Sequence, residues 1–317
     1  MESIGKTSNS TDPQFWRNLA EKHFIGQGKS ELTAKTYSRE LGILTKYYKK
    51  PLNQLTEDEI RDYIYYRRVE RKLSATSMRI LYCGLKCLYE DILEIDLPLL
   101  DKLKPQKEFK LLEVLSRREV LKILENTLSF HNYAFFRTVY TCGLRLAEAL
   151  NLTIHDINGE RKLLKILGKG NKERYVPLPD ATYQLLRSYW ATHRNPKLIF
   201  PALGRNRKQA STSTIPMERI SVQGALKRAA ELAGVNTKGV RIHVLRHSYA
   251  THLLESGVSI KAVQKYLGHA TLRTTMRYLH LTNFHETNSI NIINSMMNET
   301  QLIMPTFAPN RGGQNAK

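Results

Sequence analysis

The chain has 317 residues, 41% of them hydrophobic, which is enough for one large or two ordinary hydrophobic cores. Its net charge of +20 points to a polyanionic partner, nucleic acid before a membrane surface. There is no apolar run of the roughly 20 residues that a membrane span needs, no signal-peptide core at the start, and no disulfide or zinc spacing among the three cysteines. We therefore expect no membrane association and a reducing, cytoplasmic location.

The first part of the chain is predicted to form four helices. Asp12 is placed to cap the first and Ser74 the fourth, and Thr56 stands three residues before Glu59 as the capping box of the third. The helical patterns are DPQFWRNLAEKHFIGQG, SELTAKTYSRELGILTKYYKK, TEDEIRDYIYYRRVERK and SATSMRILYCGLKCLYEDILEI. They predict a compact helical domain.

Aromatic and basic residues alternate in the third of these helices. The basic residues are Arg67, Arg68, Arg71 and Lys72. They could follow a DNA backbone, or they could be the solvated face of a helix whose tyrosines are buried. The pattern does not favour either interpretation.

The second part of the chain opens with helices and then changes period. A capping box, Ser116 with Glu119, starts SRREVLKILENTL, and Gly143 interrupts the apolar helix NYAFFRTVYTCGLRLAEALNL. The β-prone runs KLLKIL and ERYVPL are joined by GKGNK, which predicts a hairpin with Lys169 at its tip. Only helices are predicted after it, so the fold class is mainly α with one small β-sheet.

These patterns divide the chain into five segments. They are a disordered N-terminus (1–12), the helical domain (13–100), a linker (101–110), a second domain that ends in a tail helix (111–300) and a polar tail (301–317). The charge is uneven, with a net +4 up to residue 107 and +16 after it. Most of the capacity to bind anions is therefore in the second domain.

One predicted helix, HVLRHSYATHLLESG, carries an unusual polar face. His243, Arg246 and His247 stand at i, i+3 and i+4, so an imidazole and a guanidinium project together. A guanidinium suits phosphate oxygens, and a histidine can exchange a proton near pH 7. The two histidines also have metal-ligand spacing, but they lack an intervening glutamate and Arg246 would repel a dication, so we expect no metal.

Arg145 and Lys169 are two further basic residues whose sequence neighbours suggest anion binding. Arg145 follows the break at Gly143 and precedes a new helix, which favours an anion site, although it could simply pair with Glu148. Lys169 lies between two glycines, but the phosphate-loop pattern GxxxxGK[ST] is missing, so ATP binding is not supported.

Six residues of this sequence resemble, in chain order, the functional positions of the tyrosine recombinase family. They are Arg145, Lys169, His243 and Arg246 of the motif HxxR, His269 of LGH, and Tyr278. The resemblance is strong over roughly 110–285 and weaker over about 13–107. It implies a two-domain, C-shaped clamp, with a core-binding domain that contacts DNA and a catalytic domain. It also implies double-stranded DNA as partner, a dimer or tetramer on paired sites, and a place on the bacterial nucleoid.

The resemblance implies a role for each of the six residues. Tyr278 attacks a DNA phosphodiester and forms a 3′-phosphotyrosyl bond, without cofactor, metal or ATP. The phosphate is held by Arg145, Arg246 and His269. The proton of the phenol goes to His243 as base, and Lys169 as acid protonates the leaving 5′-oxygen.

Two alternatives remain open on the sequence. SIKAVQKYLGHATLRTTMRYL, with Gly268 in the turn, also looks like a helix-turn-helix, as in a regulator that only binds DNA. A type IB topoisomerase shares the Tyr, Arg and His chemistry. The Lys169 hairpin and the Arg145 segment argue against the regulator, and the small helical front domain argues against the topoisomerase.

The tail that follows Tyr278 contains one more apolar stripe, formed by Ile290, Ile293, Met296 and Met297. In the family such a helix docks on a neighbouring subunit. A helix that packs on its own core would have the same pattern.

Overall fold

The computed structural model describes residues 8–102, 112–168, 172–204, 209–236 and 238–279. The chain divides into two compact units, Met1–Lys110 (the first unit) and Leu111–Lys317 (the second unit). The predicted tail helix lies outside the described residues. Within the described residues, no helix has the length and apolar character needed to cross a membrane.

The first unit is helical throughout its described part. Its helices are α1 (Pro13–Gly26), α2 (Glu31–Tyr48), α3 (Glu57–Tyr65), α4 (Ala75–Lys86) and α5 (Pro98–Lys102), with a 3₁₀ turn at Leu52–Gln54. Asp12 and Ser74 cap α1 and α4, and Thr56 and Glu59 form the capping box of α3, as predicted. The four predicted helices are therefore confirmed.

Two π-helical segments and the short helix α5 differ from the predicted pattern of the first unit. α3 and α4 each continue into a π-helical segment, Tyr66–Glu70 and Cys87–Ile92. Leu97, Leu99 and Leu100, on either side of the start of α5, are buried in the core of this unit. Pro98 begins α5, a position that tolerates proline because its missing N–H is not needed there. The buried leucines extend the core of this unit to the point where the predicted linker begins.

Arg67 is neither a DNA-facing nor a solvated residue, so both readings of the basic helix are wrong for this position. Its side chain is buried, donates to Glu40 at 2.7 Å and contacts the hydroxyl of Tyr63. A buried cation is stable only when it is paired, and Glu40 supplies the partner. Arg68 and Arg71 are exposed, as expected.

The second unit combines helices with one small sheet. Its elements are α6 (Arg117–Glu125), α7 (Phe130–Cys142), α8 (Leu146–Leu150), β1 (Ile157–Asn158), β2 (Leu163–Leu167), β3 (Glu173–Pro177), α9 (Asp180–Ala191), α10 (Arg219–Leu232), α11 (Ile242–Glu255), α12 (Ile260–Leu267) and α13 (Leu272–Met276). The prediction of a mainly α fold with a small sheet is confirmed.

The sheet is antiparallel, with strand order β1-β2-β3. β2 and β3 form the predicted hairpin, in which Leu164 pairs with Val176, and the two-residue strand β1 was not predicted. Side chains alternate along β3, so that Arg174 and Val176 are buried while Glu173 and Tyr175 are exposed. The hairpin tip with Lys169 lies outside the described residues.

The core of the second unit forms where α7 packs against α9, α10 and α11. Its largest fully buried side chains are Phe135, Phe136 and Phe200. A smaller apolar cluster joins α11 to α12 and includes Tyr249, Leu267 and Tyr278. α11 therefore contributes to both clusters and is held from two sides.

Candidate active site

Two glycines fix the ends of the helices that border the site. Gly143 ends α7 with φ +60° and Gly268 ends α12 with φ +62°, a backbone conformation that favours glycine. A Cβ atom would overlap the ring of Tyr249 at Gly143, and at Gly268 it would lie 2.8 Å from Cδ of Arg174. Both turns therefore require glycine for space as well as for conformation.

Arg246 on α11 connects these two helix ends. The residue is 3% exposed, Nη1 donates to the carbonyl of Gly143 at 2.7 Å, and Nη2 donates to the carbonyl of Leu267 at 2.5 Å. Nη2 also lies 3.4 Å from Nε2 of His269. Burial and the nearby Arg145 lower the pKa of Arg246 to about 9, so the guanidinium remains charged at neutral pH.

One carboxylate, Glu148, lies among three arginines. It accepts from Nη1 and Nη2 of Arg174 at 2.9 and 2.7 Å, and from the backbone and side chain of Arg145 at 2.8 and 2.7 Å. Its Oε2 is 3.7 Å from Nη1 of Arg246. Burial alone would raise the pKa of Glu148, but the hydrogen bonds from Arg174 and Arg145 outweigh it and lower the pKa to about 2.

This cluster of Arg145, Glu148, Arg174 and Arg246 has a surplus of positive charge. Three guanidiniums against one carboxylate leave a net +2. Arg145 is the more accessible of the catalytic candidates in the cluster, with 32% of its side chain exposed, and its Nη2 donates to the carbonyl of Gly268 at 3.2 Å. Such a cluster is suited to a phosphate diester.

His269 stands directly after the Gly268 turn and faces this cluster. Its Nδ1 is 2.9 Å from the hydroxyl of Thr275, and its ring is nearly parallel to the ring of Tyr278. Burial, followed by the charges of Arg246 and Arg145, lowers the pKa of His269 to about 4. The imidazole is therefore neutral at pH 7.

Tyr278, in the turn after α13, is 2% exposed. Its hydroxyl is 2.9 Å from Nδ1 of His247 on α11. Burial raises the pKa of Tyr278 in spite of the neighbouring Arg246, so the phenol keeps its proton at neutral pH. A hydroxyl in this state needs a proton acceptor before it can act as a nucleophile.

Two of the histidines of α11, His243 and His247, differ in their relation to the phenol. The ring centroid of His243 is 6.4 Å from that of His247, and it is His247 that shares a hydrogen bond with the Tyr278 hydroxyl. Burial lowers the pKa of both, for His247 to about 4. Both rings are thus neutral and able to accept a proton at pH 7.

The structure brings five of the six predicted site residues into one region: Arg145, His243, Arg246, His269 and Tyr278. Lys169 lies outside the described residues.

Sequence reasoning did not assign a function to Glu148, Arg174 or His247. The sequence indicates Glu148 only as a partner of Arg145 at i+3, yet it contacts three arginines. Arg174 had a usable signal, because strand alternation places it on the same face as the buried Val176. An arginine at an inward position of a strand must have a buried partner.

A cluster with metal-ligand chemistry occurs elsewhere among the described residues. His23, Cys87 and Asp91 of the first unit have ligand atoms within 4.8 Å of one another. Burial raises the pKa of the Cys87 thiol to about 12, and only the thiolate is a good metal ligand. Without a metal the Cys87 thiol therefore keeps its proton at neutral pH.

Comparison with known proteins identifies two matching regions. Residues 113–285 match the family described as "Phage integrase family", and residues 16–99 match "Phage integrase, N-terminal SAM-like domain". The chain is 33% identical over 278 residues to the tyrosine recombinase XerD of Oceanobacillus iheyensis, covering 82% of this chain and 92% of the relative. It is also 33% identical over 256 residues to the putative integrase/recombinase y4qK of Sinorhizobium fredii, covering 78% and 79%.

Solved structures share the fold. A lambda integrase tetramer bound to a Holliday junction matches with a TM-score of 0.69 at 18% identity, over 87% of this chain and 79% of that one. The XerH site-specific recombinase bound to palindromic difH substrate matches with a TM-score of 0.64 at 22% identity, over 88% and 85%. Taken together with the cluster of arginines around a buried tyrosine, these matches show that the chain belongs to the phage integrase family of tyrosine recombinases.

Proposed function

We propose that this protein is a site-specific DNA recombinase or integrase that cuts and rejoins strands through a 3′-phosphotyrosyl bond to Tyr278. The observation that carries the proposal is the position of the Tyr278 hydroxyl within a region where arginines outnumber carboxylates by two. A phosphate diester would bring the negative charge that this region lacks.

In this proposal the scissile phosphate is held by Arg145, Arg246 and His269. Negative charge grows on the non-bridging oxygens in the transition state, and donors that are already in place stabilise it without reorganisation. Arg246 is fixed by two carbonyls and Arg145 by Glu148. Loss of one such donor costs on the order of 3 kcal/mol in activation free energy.

Two proton transfers accompany strand cleavage. As the phenol oxygen of Tyr278 bonds to phosphorus, its proton leaves toward the histidines of α11, and His243 is the base that the family resemblance implies. The bond from phosphorus to the 5′-oxygen breaks, and Lys169 gives that oxygen a proton. The energy of the broken ester is kept in the phosphotyrosine, so neither ATP nor a metal ion takes part.

The proposed partner is double-stranded DNA, bound by a dimer or tetramer on paired sites. Support comes from the net +16 of residues 108–317 and from relatives described as a tetramer on a Holliday junction and as a recombinase on its difH substrate. The proposed location is the bacterial cytoplasm, at the nucleoid.

The units are proposed to divide the work as the sequence suggests. Residues 13–100 contact DNA as a core-binding domain, 101–110 link them to the rest, and 111–300 form the catalytic domain with its tail helix. Asp12 caps α1 and the Ser10 carbonyl accepts from Nε1 of Trp16 at 2.8 Å, so these two residues belong to the first unit. The polar tail, 301–317, is proposed to lie outside both.

The test uses a library of nicked duplexes, in which the short fragment released by cleavage diffuses away and religation is prevented. The parent protein should give an adduct with DNA that survives SDS and disappears with protease, whereas Tyr278→Phe should give none. This change removes one oxygen and keeps the ring, so DNA binding should hardly change. Tyr266→Phe on α12 is the matched control and should form the adduct at the parental rate.

An adduct from Tyr278→Phe would place the nucleophile elsewhere. No adduct from the parent on any duplex in the library, with DNA binding intact, would favour a regulator that only binds DNA.

A further inference from the structure

The geometry of the site indicates which residue accepts the proton of the Tyr278 hydroxyl. Nδ1 of His247 lies 2.9 Å from the Tyr278 hydroxyl, while the ring of His243 lies one turn back along α11. A general base must lie within hydrogen-bond reach of the proton that it removes. His247 meets this requirement before DNA arrives.

We infer that His247 takes the proton of Tyr278 directly when the phenol attacks DNA. The inference rests on the proposed function. The O–H bond of Tyr278 breaks as its oxygen bonds to phosphorus, and the proton moves to Nδ1 of His247. The leaving 5′-oxygen takes a different proton from the acid, so the two transfers use separate groups. On rejoining, the proton returns from His247 to the phenol.

The surroundings of His247 fit this role. Burial, together with the charges of Arg246 on its own helix and Arg277 next to Tyr278, lowers the pKa of His247 to about 4, so the imidazole is neutral but a weak base in the DNA-free protein. A phosphate diester bound at the arginines would offset part of this positive field and favour the protonated ring. His247 would thus become a stronger base when substrate is present.

Nδ1 is the acceptor in this arrangement only if the proton of the neutral ring is on Nε2. The hydroxyl of Tyr278 can then donate to Nδ1, and this tautomer also has the lone pair that receives the proton during attack. The ground-state hydrogen bond and the proton transfer therefore use the same atom.

Another histidine of α11, His252, forms a control pair with a tyrosine of α7. Nδ1 of His252 lies 2.9 Å from the hydroxyl of Tyr140, and these residues belong to the packing between α11 and α7. The two pairs have the same hydrogen-bond distance, although their rings are inclined differently, and Tyr140 is not a proposed nucleophile. Replacing either histidine with asparagine keeps a hydrogen-bond acceptor near the Nδ1 position, but the amide cannot take up a proton at neutral pH.

The experiment compares His247→Asn and His252→Asn on nicked duplexes that the parent cleaves. His247→Asn should form the covalent adduct at least about 100-fold more slowly, the loss typical of a missing general base. His252→Asn should stay within about twofold. DNA affinity and the urea midpoint, measured for both variants, should remain close to those of the parent, since a packing defect would change them.

A second substrate separates the base from the acid. A duplex with a bridging 5′-phosphorothioate has a leaving thiolate that needs no proton, so it should restore cleavage to a variant without the acid but not to His247→Asn. Restoration of His247→Asn would put this residue on the leaving group and overturn the inference. Parental or faster cleavage of the ordinary substrate would also overturn it, because the hydrogen bond would then only hold or restrain the phenol.

The result also separates this inference from the proposed function. If the parent forms an adduct and His247→Asn forms it at the same rate, only the assignment of His247 as the base fails. If the parent forms none, the proposed function fails and this inference with it. In DNA-free protein, the ¹⁵N signal of His247 Nδ1 should shift in Tyr278→Phe, and an unchanged signal would refute the contact itself.

Discussion

At the level of single residues, Glu148 contacts three arginines of the site without being a candidate for the chemistry. Its side chain is 6% exposed and accepts hydrogen bonds from both Arg145 and Arg174. Removing one partner of a buried charged group leaves the others uncompensated, which costs more than the pair contributes when intact. Three guanidiniums without Glu148 would repel one another.

We expect Glu148→Gln to lower the free energy of unfolding by about 3 kcal/mol, and to slow adduct formation because Arg145 and Arg246 would move apart. Urea denaturation and the nicked-duplex assay measure the two effects. The control is Glu231→Gln, which breaks the exposed pair with Lys227 on α10 and should leave both quantities unchanged. Equal stability of the two variants would mean that the arginines do not depend on the carboxylate.

The stabilising effect of Glu148 should also depend on pH. Its pKa is about 2 in the folded protein and 4.5 without structure, so its contribution is complete above the higher value and is lost as the pH falls from there toward the lower one. The difference in stability between parent and Glu148→Gln should therefore shrink over this range. If the difference in the free energy of unfolding between the two proteins stays constant as the pH falls to the folded-state pKa, the charge of Glu148 is not what stabilises the fold.

The sequence could predict which residue types meet in the site, but not which histidine contacts the phenol. His243 and His247 are four residues apart on one face of α11, so helical spacing treats them alike. The choice depends on where the turn after α13 places Tyr278, and Tyr278 packs against residues distant in sequence, such as Tyr249 and Leu254 of α11.

At the level of elements, the turn at Gly268 determines where the donors lie. Its carbonyl and that of Leu267 accept from Arg145 and Arg246, and a side chain at Gly268 would press on Arg174. The turn therefore connects backbone conformation to the geometry of the anion site.

We predict that Gly268→Ala destabilises the protein and reduces adduct formation together. The matched control is Gly234→Ala after α10, where φ is +65° and nothing lies within 4 Å of the added Cβ, so that only the backbone strain of about 1 kcal/mol remains. Crowding against Arg174 should add at least about 1 kcal/mol at Gly268. Urea midpoints give the comparison, and equal values for the two variants would refute the role of crowding.

The elements that the sequence predicted well have local signals, and those that it missed do not. Capping boxes at Thr56 and Ser116 and the glycine breaks mark helix ends within a few residues. β1 is two residues long and exists because β2 offers it hydrogen bonds. The π-helical segments after α3 and α4 keep a helical pattern of apolar residues, so their hydrogen bonding cannot be read from periodicity.

At the level of the whole molecule, neither a metal nor a nucleotide enters the proposed chemistry. Strand cleavage should therefore proceed at the parental rate in EDTA and without ATP, measured with the nicked duplexes. A rate that falls in the chelator and returns with added Mg²⁺ would contradict phosphate activation by arginines. His23→Ala, which disrupts the His23, Cys87 and Asp91 group, should likewise leave cleavage unchanged.

The two backbone carbonyls that accept hydrogen bonds from Arg246 also stabilise its positive charge. Gly143 and Leu267 lie at the C-terminal ends of α7 and α12, where the peptide dipoles of a helix sum to about half a negative charge. The guanidinium thus caps two helices with one side chain and is electrostatically stabilised before any phosphate is bound. Substituting Arg246 would uncap both helices as well as remove a donor, so the resulting loss of rate would measure folding and catalysis together.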